Sequence, residues 1–115
     1  MMAPQFANAQ AAPARAGIVA LTNENRAQNG VAQVQENPAL DAAAQMKANN
    51  MAAQGYFSHT SPTGIAPWYW MTLEGYYYMD AGENLGEGFA DAAGLDSAWM
   101  QSPSHRANIL NPVYT

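Results

Sequence analysis

Residues 37–55 place the tightest constraint on the fold. Asn37-Pro38 is a helix start, a capping side chain before proline at the first helical position, and Gly55 suits the left-handed residue after a helix end. Between them, Leu40, Ala43, Ala44, Ala48 and Met51 share one face at helical spacing. That face is mostly alanine, so the helix must pack close to its neighbour. Large aliphatic groups are scarce elsewhere too: Leu, Ile, Val and Phe make only 16 of 115 residues. Such a share would signal disorder, were charged residues not also scarce at 11%. Three Trp, six Tyr and five internal Met carry the apolar area instead. A few aromatic side chains, each burying roughly 150–250 Å², can dominate a small core.

The other elements follow from similar signals. A first helix is expected over about 14–29, with Ile18, Leu21 or Thr22, and Asn25 on one stripe and Gly30 after its end. A short extended piece over 31–35 follows. After the second helix comes a polar loop over 56–65, then a short third helix opened by Pro67 and closed at Gly75. Gly82, Gly86 and Gly88 bracket Glu83, where the backbone turns or is closely approached. Asp91 caps a fourth helix to about Gln101, with Leu95, Ala98, Trp99 and Ser102 on one face. Ser102-Pro103 repeats the cap-then-proline signal for a last short helix to about Ile109.

Composition excludes several function classes. The net charge is −5, and the only strong bases are Arg15, Arg26, Lys47 and Arg106, so no basic stripe exists for nucleic acid. No apolar run approaches the ~20 residues that span a bilayer. Without cysteine there is no disulfide and no thiolate metal site. Residues 1–13 read as a tail: Ala7-Asn8-Ala9 fits a signal-peptidase site, while an ordinary low-complexity linker fits equally.

The chemistry concentrates around the two histidines. His59 lies in Tyr56-Phe57-Ser58-His59-Thr60-Ser61-Pro62, His105 in Ser102-Pro103-Ser104-His105-Arg106-Ala107-Asn108, and Glu83 between them in Ala81-Gly82-Glu83-Asn84-Leu85. His105 would sit in the first turn of its helix, where the dipole favours a neutral imidazole, the form a metal or general base needs. His59, Glu83 and His105 are therefore candidate ligands of a His₂Glu metal site, zinc foremost, although their spacing matches no local metal signature. The bland reading is that the histidines bond loop backbone and Glu83 caps a turn. Ser58, Ser102 and Ser104 neighbour histidines in sequence, yet no nucleophile elbow is present, and Ser102 is better explained as a helix cap. Arg106 is expected to pair with an acid, Asn108 to tie down backbone, and Asn23-Glu24-Asn25-Arg26 to hold a buried or interface ion pair. Trp68, Tyr69, Trp70, Tyr76, Tyr77 and Tyr78 line either a lipid groove or, as is commoner, the core. Glu74, Asp80 and Glu87 read as solvated charges.

Taken together, Leu21-Thr22-Asn23-Glu24-Asn25-Arg26, Asn37-Pro38-Ala39-Leu40, Gly55-Tyr56-Phe57-Ser58-His59, Gly82-Glu83-Asn84 and the run from Ala98 to Leu110 resemble the CAP superfamily, in its bacterial secreted branch. The resemblance covers roughly residues 15–115, with residues 14–115 as the domain. It implies an α+β fold, an α-β-α sandwich, around a cavity formed by two His and two acidic residues that binds divalent metal in some members. His59, Glu83 and His105 match three of these. Ser102 stands where the second acid is expected, which lowers expected metal affinity. Asn84, Ser102, Arg106 and Asn108 fall beside the site as structural or ligand contacts. The family continues after the His-Arg motif into strands, whereas this chain stops at Thr115. The expectation is therefore a C-terminally truncated, helix-rich domain. It would hold a meagre sheet around 81–89 and at the C-terminus, with exposed helix faces that favour self-association.

The function implied is a secreted, extracellular binding domain with a His/Glu cleft for a divalent metal, and with a lipid or sterol as a further ligand. A metal-dependent hydrolase, with Glu83 or a histidine activating a bound water, and a cell-surface interaction module with a vestigial site are the alternatives.

Overall fold

The computed structural model describes residues 11–115, with side chains from residue 15 onward. Five helices follow in order: α1 (Ala11–Gln28), α2 (Pro38–Gln54), α3 (Trp68–Leu73), α4 (Ala92–Gln101) and α5 (Pro103–Ile109). Of the expected N-terminal tail, residues 11–13 belong to α1, while the Ala7-Asn8-Ala9 triplet lies outside the described residues. The capping signals act as their chemistry requires. Asn37 Oδ1 accepts from the amides of Ala39 (2.9 Å) and Leu40 (3.3 Å), and Gly55 closes α2 at φ 69°. Asp91 accepts from the amide of Gly94 at 2.8 Å. Ser102 is the exception. It occupies the cap position of α5 but makes no side-chain cap bond, because its hydroxyl is engaged by His105 at 2.9 Å.

The helices form two groups. In the first, α1 packs on α4 and α5, and α4 packs on α5, around Ile18, Leu95, Trp99 and Ile109. A Cβ on Gly17 would lie 2.9 Å from Ala92 Cβ, so α1 and α4 meet at backbone range. In the second, α2 packs on α3 around Ala43, Ala44, Trp70 and Met71. Here the alanine stripe is covered by the large groups of α3, which answers the close-packing demand of that face. Among the described residues no helix of one group packs on a helix of the other; Arg15 of α1 reaches α2 by donating to Gln45 Oε1 at 3.3 Å. The buried segment 82–86 and its neighbour Ala81 connect them. Ala81 packs against the α2–α3 core, while Leu85 accepts a hydrogen bond from Trp99 Nε1 at 2.8 Å through its carbonyl.

Among the described residues there is no strand; of the meagre sheet expected around 81–89 and at the C-terminus, only an isolated bridge at Glu83 is present. The extended segments satisfy their backbone through side chains instead. Asn23 brackets Val34, donating to its carbonyl at 2.9 Å and accepting from its amide at 2.8 Å. Only one backbone bond, from the Gln35 amide to the Thr115 carbonyl at 3.3 Å, joins the 31–37 segment to the C-terminal one.

Arg26 does the most of this work. It is 1% exposed, and its guanidinium donates to four carbonyls: Ala32 (2.6 Å), Ile109 (2.8 Å), Asn111 (2.9 Å) and Tyr114 (2.9 Å). The ion pair expected within residues 23–26 is therefore replaced by a carbonyl cage. Arg106 likewise meets no acid: its guanidinium donates to Asn29 Oδ1 at 3.3 Å. Within the described residues no helix is long and apolar enough to cross a membrane.

The planar fork of Arg26 serves carbonyls in several directions at once, which an ammonium on a single stem cannot do. Arg26→Lys is predicted to lower the unfolding free energy by about 2 kcal/mol, on the scale of leaving buried acceptors without donors. Urea denaturation checks this, and a change under about 0.5 kcal/mol, the range of neutral surface substitutions, would contradict the cage.

Candidate functional site

Glu83 lies on the connecting segment between the helix groups, and its carboxylate is almost fully enclosed. His59, on the polar loop after α2, places Nδ1 2.8 Å from Glu83 Oε1; the imidazole is 58% exposed and the carboxylate side chain 1%. With Glu83 ionised, the carboxylate accepts and Nδ1 is the donor. The other ring nitrogen, Nε2, then has its lone pair available. The second carboxylate oxygen, Oε2, is buried without a hydrogen-bond partner. Burial pushes the Glu83 carboxyl above its ordinary value, opposed by the His59 hydrogen bond and by the charges of Lys47 and His59.

Lys47 lies at the candidate site but is not among the residues expected there from the sequence. It is 0% exposed and lies on the same stripe of α2 as Ala43, Ala44 and Ala48. Its ammonium donates to the carbonyl of His59 and sits 5.4 Å from the centre of the Tyr56 ring. Burial pushes the Lys47 ammonium below its ordinary value, with the Glu83 charge opposing. The Tyr56 hydroxyl is pushed up, by burial first and then by Glu83. The signal was a lone lysine at helical spacing within an alanine face.

The remaining expected residues support the segment that carries Glu83. Asn84, fully buried, donates to the carbonyl of His105 at 3.1 Å. Asn108 donates to the Glu83 carbonyl (3.2 Å) and to Asn84 Oδ1 (2.8 Å). Asn108 thus ties down backbone, as expected. A Cβ on Gly82 would lie 2.5 Å from the Tyr114 hydroxyl, so no larger residue fits there without a shift. His105 sits in the first turn of α5, with Nδ1 on the Ser102 hydroxyl. Arg106 is exposed and takes no part. Among the described residues, no three His, Cys, Asp or Glu side chains are grouped so as to hold a metal ion.

The aromatic set divides. Trp70 is core, and Trp68 and Tyr76 pack partly against it, whereas Tyr77 is 91% exposed. Tyr76, Tyr77 and Tyr78 line a groove of about 570 Å³ between α1 and α2, bounded by residues 34–37, 76–80 and 113–115. The rings of Tyr76 and Tyr78 stack with centres 6.5 Å apart. The groove excludes His59, Glu83 and His105. Its lining includes Glu36, Asp41 and Asp80 against Arg15, and Thr22, whose hydroxyl is buried without a partner. Burial, together with the hydrogen bond and charge of Glu36, pushes the Asp41 carboxyl up to about 6, while Arg15 pulls it down.

Comparison with known proteins supplies the family. The model of the cysteine-rich secretory protein family, CAP, matches residues 19–115. The chain is 39% identical over 98 residues to a Bacillus subtilis (strain 168) protein called "Uncharacterized protein YkwD", covering 85% of this chain and 38% of that one. It is 29% identical over 99 residues to "Uncharacterized membrane protein YlbC" of the same organism, covering 85% and 28%. The chain thus spans well under half the length of either relative. No solved structure matches significantly.

Asp41 makes the stability of the groove wall depend on pH. Its proton is held more tightly in the folded chain, at about 6 against an ordinary 3.8. The associated stabilisation is complete below the lower value and is lost as pH rises through the upper one. Asp41→Asn is predicted to gain on the wild type in melting temperature between about pH 4 and about pH 7. Equal differences at the two pH values would contradict the assignment.

Proposed function

This chain belongs to the cysteine-rich secretory protein (CAP) family, and from that premise we propose that it is a non-catalytic, extracellular binding domain for a neutral amphipathic ligand. The observation that carries this reading is the groove of about 570 Å³ between α1 and α2, within the size range of small-molecule sites. Its tyrosines offer ring faces, and the unpartnered Thr22 hydroxyl offers a polar anchor. Three carboxylates against one guanidinium disfavour a fatty-acid anion and favour a sterol or another neutral lipid bearing a hydroxyl. The two helix groups with segment 82–86 between them fit the outer layers of an α-β-α sandwich. Family membership supports extracellular placement; the description "membrane protein" belongs to the second relative alone.

The divalent metal expected at His59, Glu83 and His105 is a separate matter. As arranged, these donors fit it poorly. A buried ammonium, that of Lys47, already acts on the Glu83 charge and holds the His59 loop by its carbonyl. Zinc would require the three side chains to converge, whereas they are not grouped for it here.

Titration with a fluorescent sterol should give saturable, single-site binding at neutral pH, weakened several-fold by Tyr78→Ala, with a fluorescent fatty acid binding more weakly. Absence of saturable sterol binding, or binding indifferent to Tyr78→Ala, would remove the groove as the ligand site.

A further inference from the structure

The His59–Glu83 site contains one buried carboxylate and one buried ammonium. A buried charge persists only when it is compensated. Glu83 has His59 on Oε1 and nothing hydrogen-bonded to Oε2, so half of the carboxylate depends on charge at longer range. Lys47 supplies it: the side chain is fully enclosed, and its charge and that of Glu83 act on each other. The same ammonium holds the His59 loop by its carbonyl and lies over the Tyr56 ring, a favourable place for a cation. At the position of a second acid, Ser102 gives His105 a neutral hydroxyl partner. The pair is therefore balanced, one negative group to one positive.

We propose that Lys47 is the resident cation of this site, a positioning residue that neutralises Glu83 and fixes the His59 loop, so that the site is complete without a metal ion. A divalent ion entering beside Glu83 would meet an ammonium that cannot withdraw to solvent, and their repulsion is strong in a poorly screened interior. Removing the ammonium reverses the situation: the carboxylate is left without its balancing charge, and an external cation becomes a stabilising partner. The charge balance is independent of ligand binding in the groove, which excludes Glu83 and Lys47 from its lining.

Two measurements on the whole chain test it. The first is a thermal double-mutant cycle of Lys47→Met and Glu83→Gln. Lys47→Met alone should lower the melting temperature, and adding Glu83→Gln on that background should restore part of the loss. Additive losses would overturn the proposal, since they mean the two side chains act independently. If Lys47→Met fails to fold while the double variant folds, charge balance is the role of Lys47. If neither folds, its role is packing and the proposal fails. The second is calorimetric titration with zinc chloride, which a purely structural lysine would not affect. Zinc should bind Lys47→Met, or the chain carrying the milder Lys47→Gln, at least tenfold more tightly than the wild type. Equal or tighter binding by the wild type would show that Lys47 does not occupy the cation's place.

Discussion

Arg26 closes the first helix group by giving its guanidinium to four backbone carbonyls. Two of these, from Ile109 and Asn111, lie at the end of α5, where a helix leaves its last carbonyls without intrahelical donors and where its dipole favours a cation. The others lie on the 31–37 segment and near the C-terminus. One side chain on α1 therefore sets three pieces of backbone that are distant in sequence. With no strand ladder among the described residues, these are groups that a ladder would otherwise have satisfied. The high cost of an unpaired buried carbonyl makes the cage the condition for everything built on α5.

The candidate site is built on α5 in that sense. With α5 fixed, Asn108 reaches the Glu83 carbonyl and Asn84 reaches the His105 carbonyl. Trp99, from α4, holds Leu85 on the other side. These bonds pin the backbone of segment 82–86 so that the Glu83 carboxylate is enclosed yet meets the exposed ring of His59. The α2–α3 group contributes the opposing charge from the one polar position of an alanine face. A buried carboxylate, a buried ammonium and an exposed imidazole thus come from three different parts of the chain.

Much of this was legible in the sequence. Cap-then-proline signals and glycines at helix ends fixed the helices because each acts through its nearest neighbours: Asn37 on the next two amides, Gly55 through its own φ. His59 and Glu83 were singled out by their turn-rich surroundings, and they do meet. What was illegible depends on long-range pairing. Nothing local tells that Arg26 will find carbonyls 83 to 88 residues away in place of an acid, or that Ser102 will turn its hydroxyl to His105 instead of to an amide. Lys47 was visible as an interruption of the stripe Ala43, Ala44, Ala48. It went unread because lysines are rarely buried, and its partner lies on a loop and in a segment that sequence spacing does not bring together.

The central claim is that His59 is held by a buried, ionised Glu83. Long-range proton–nitrogen correlation NMR of the His59 ring tests this most directly, because it identifies which nitrogen carries the proton. The structure predicts the Nδ1–H tautomer at neutral pH, with a slowly exchanging Nδ1 proton that disappears in Glu83→Ala. A ring protonated on Nε2 alone, or one unaffected by Glu83→Ala, would contradict it.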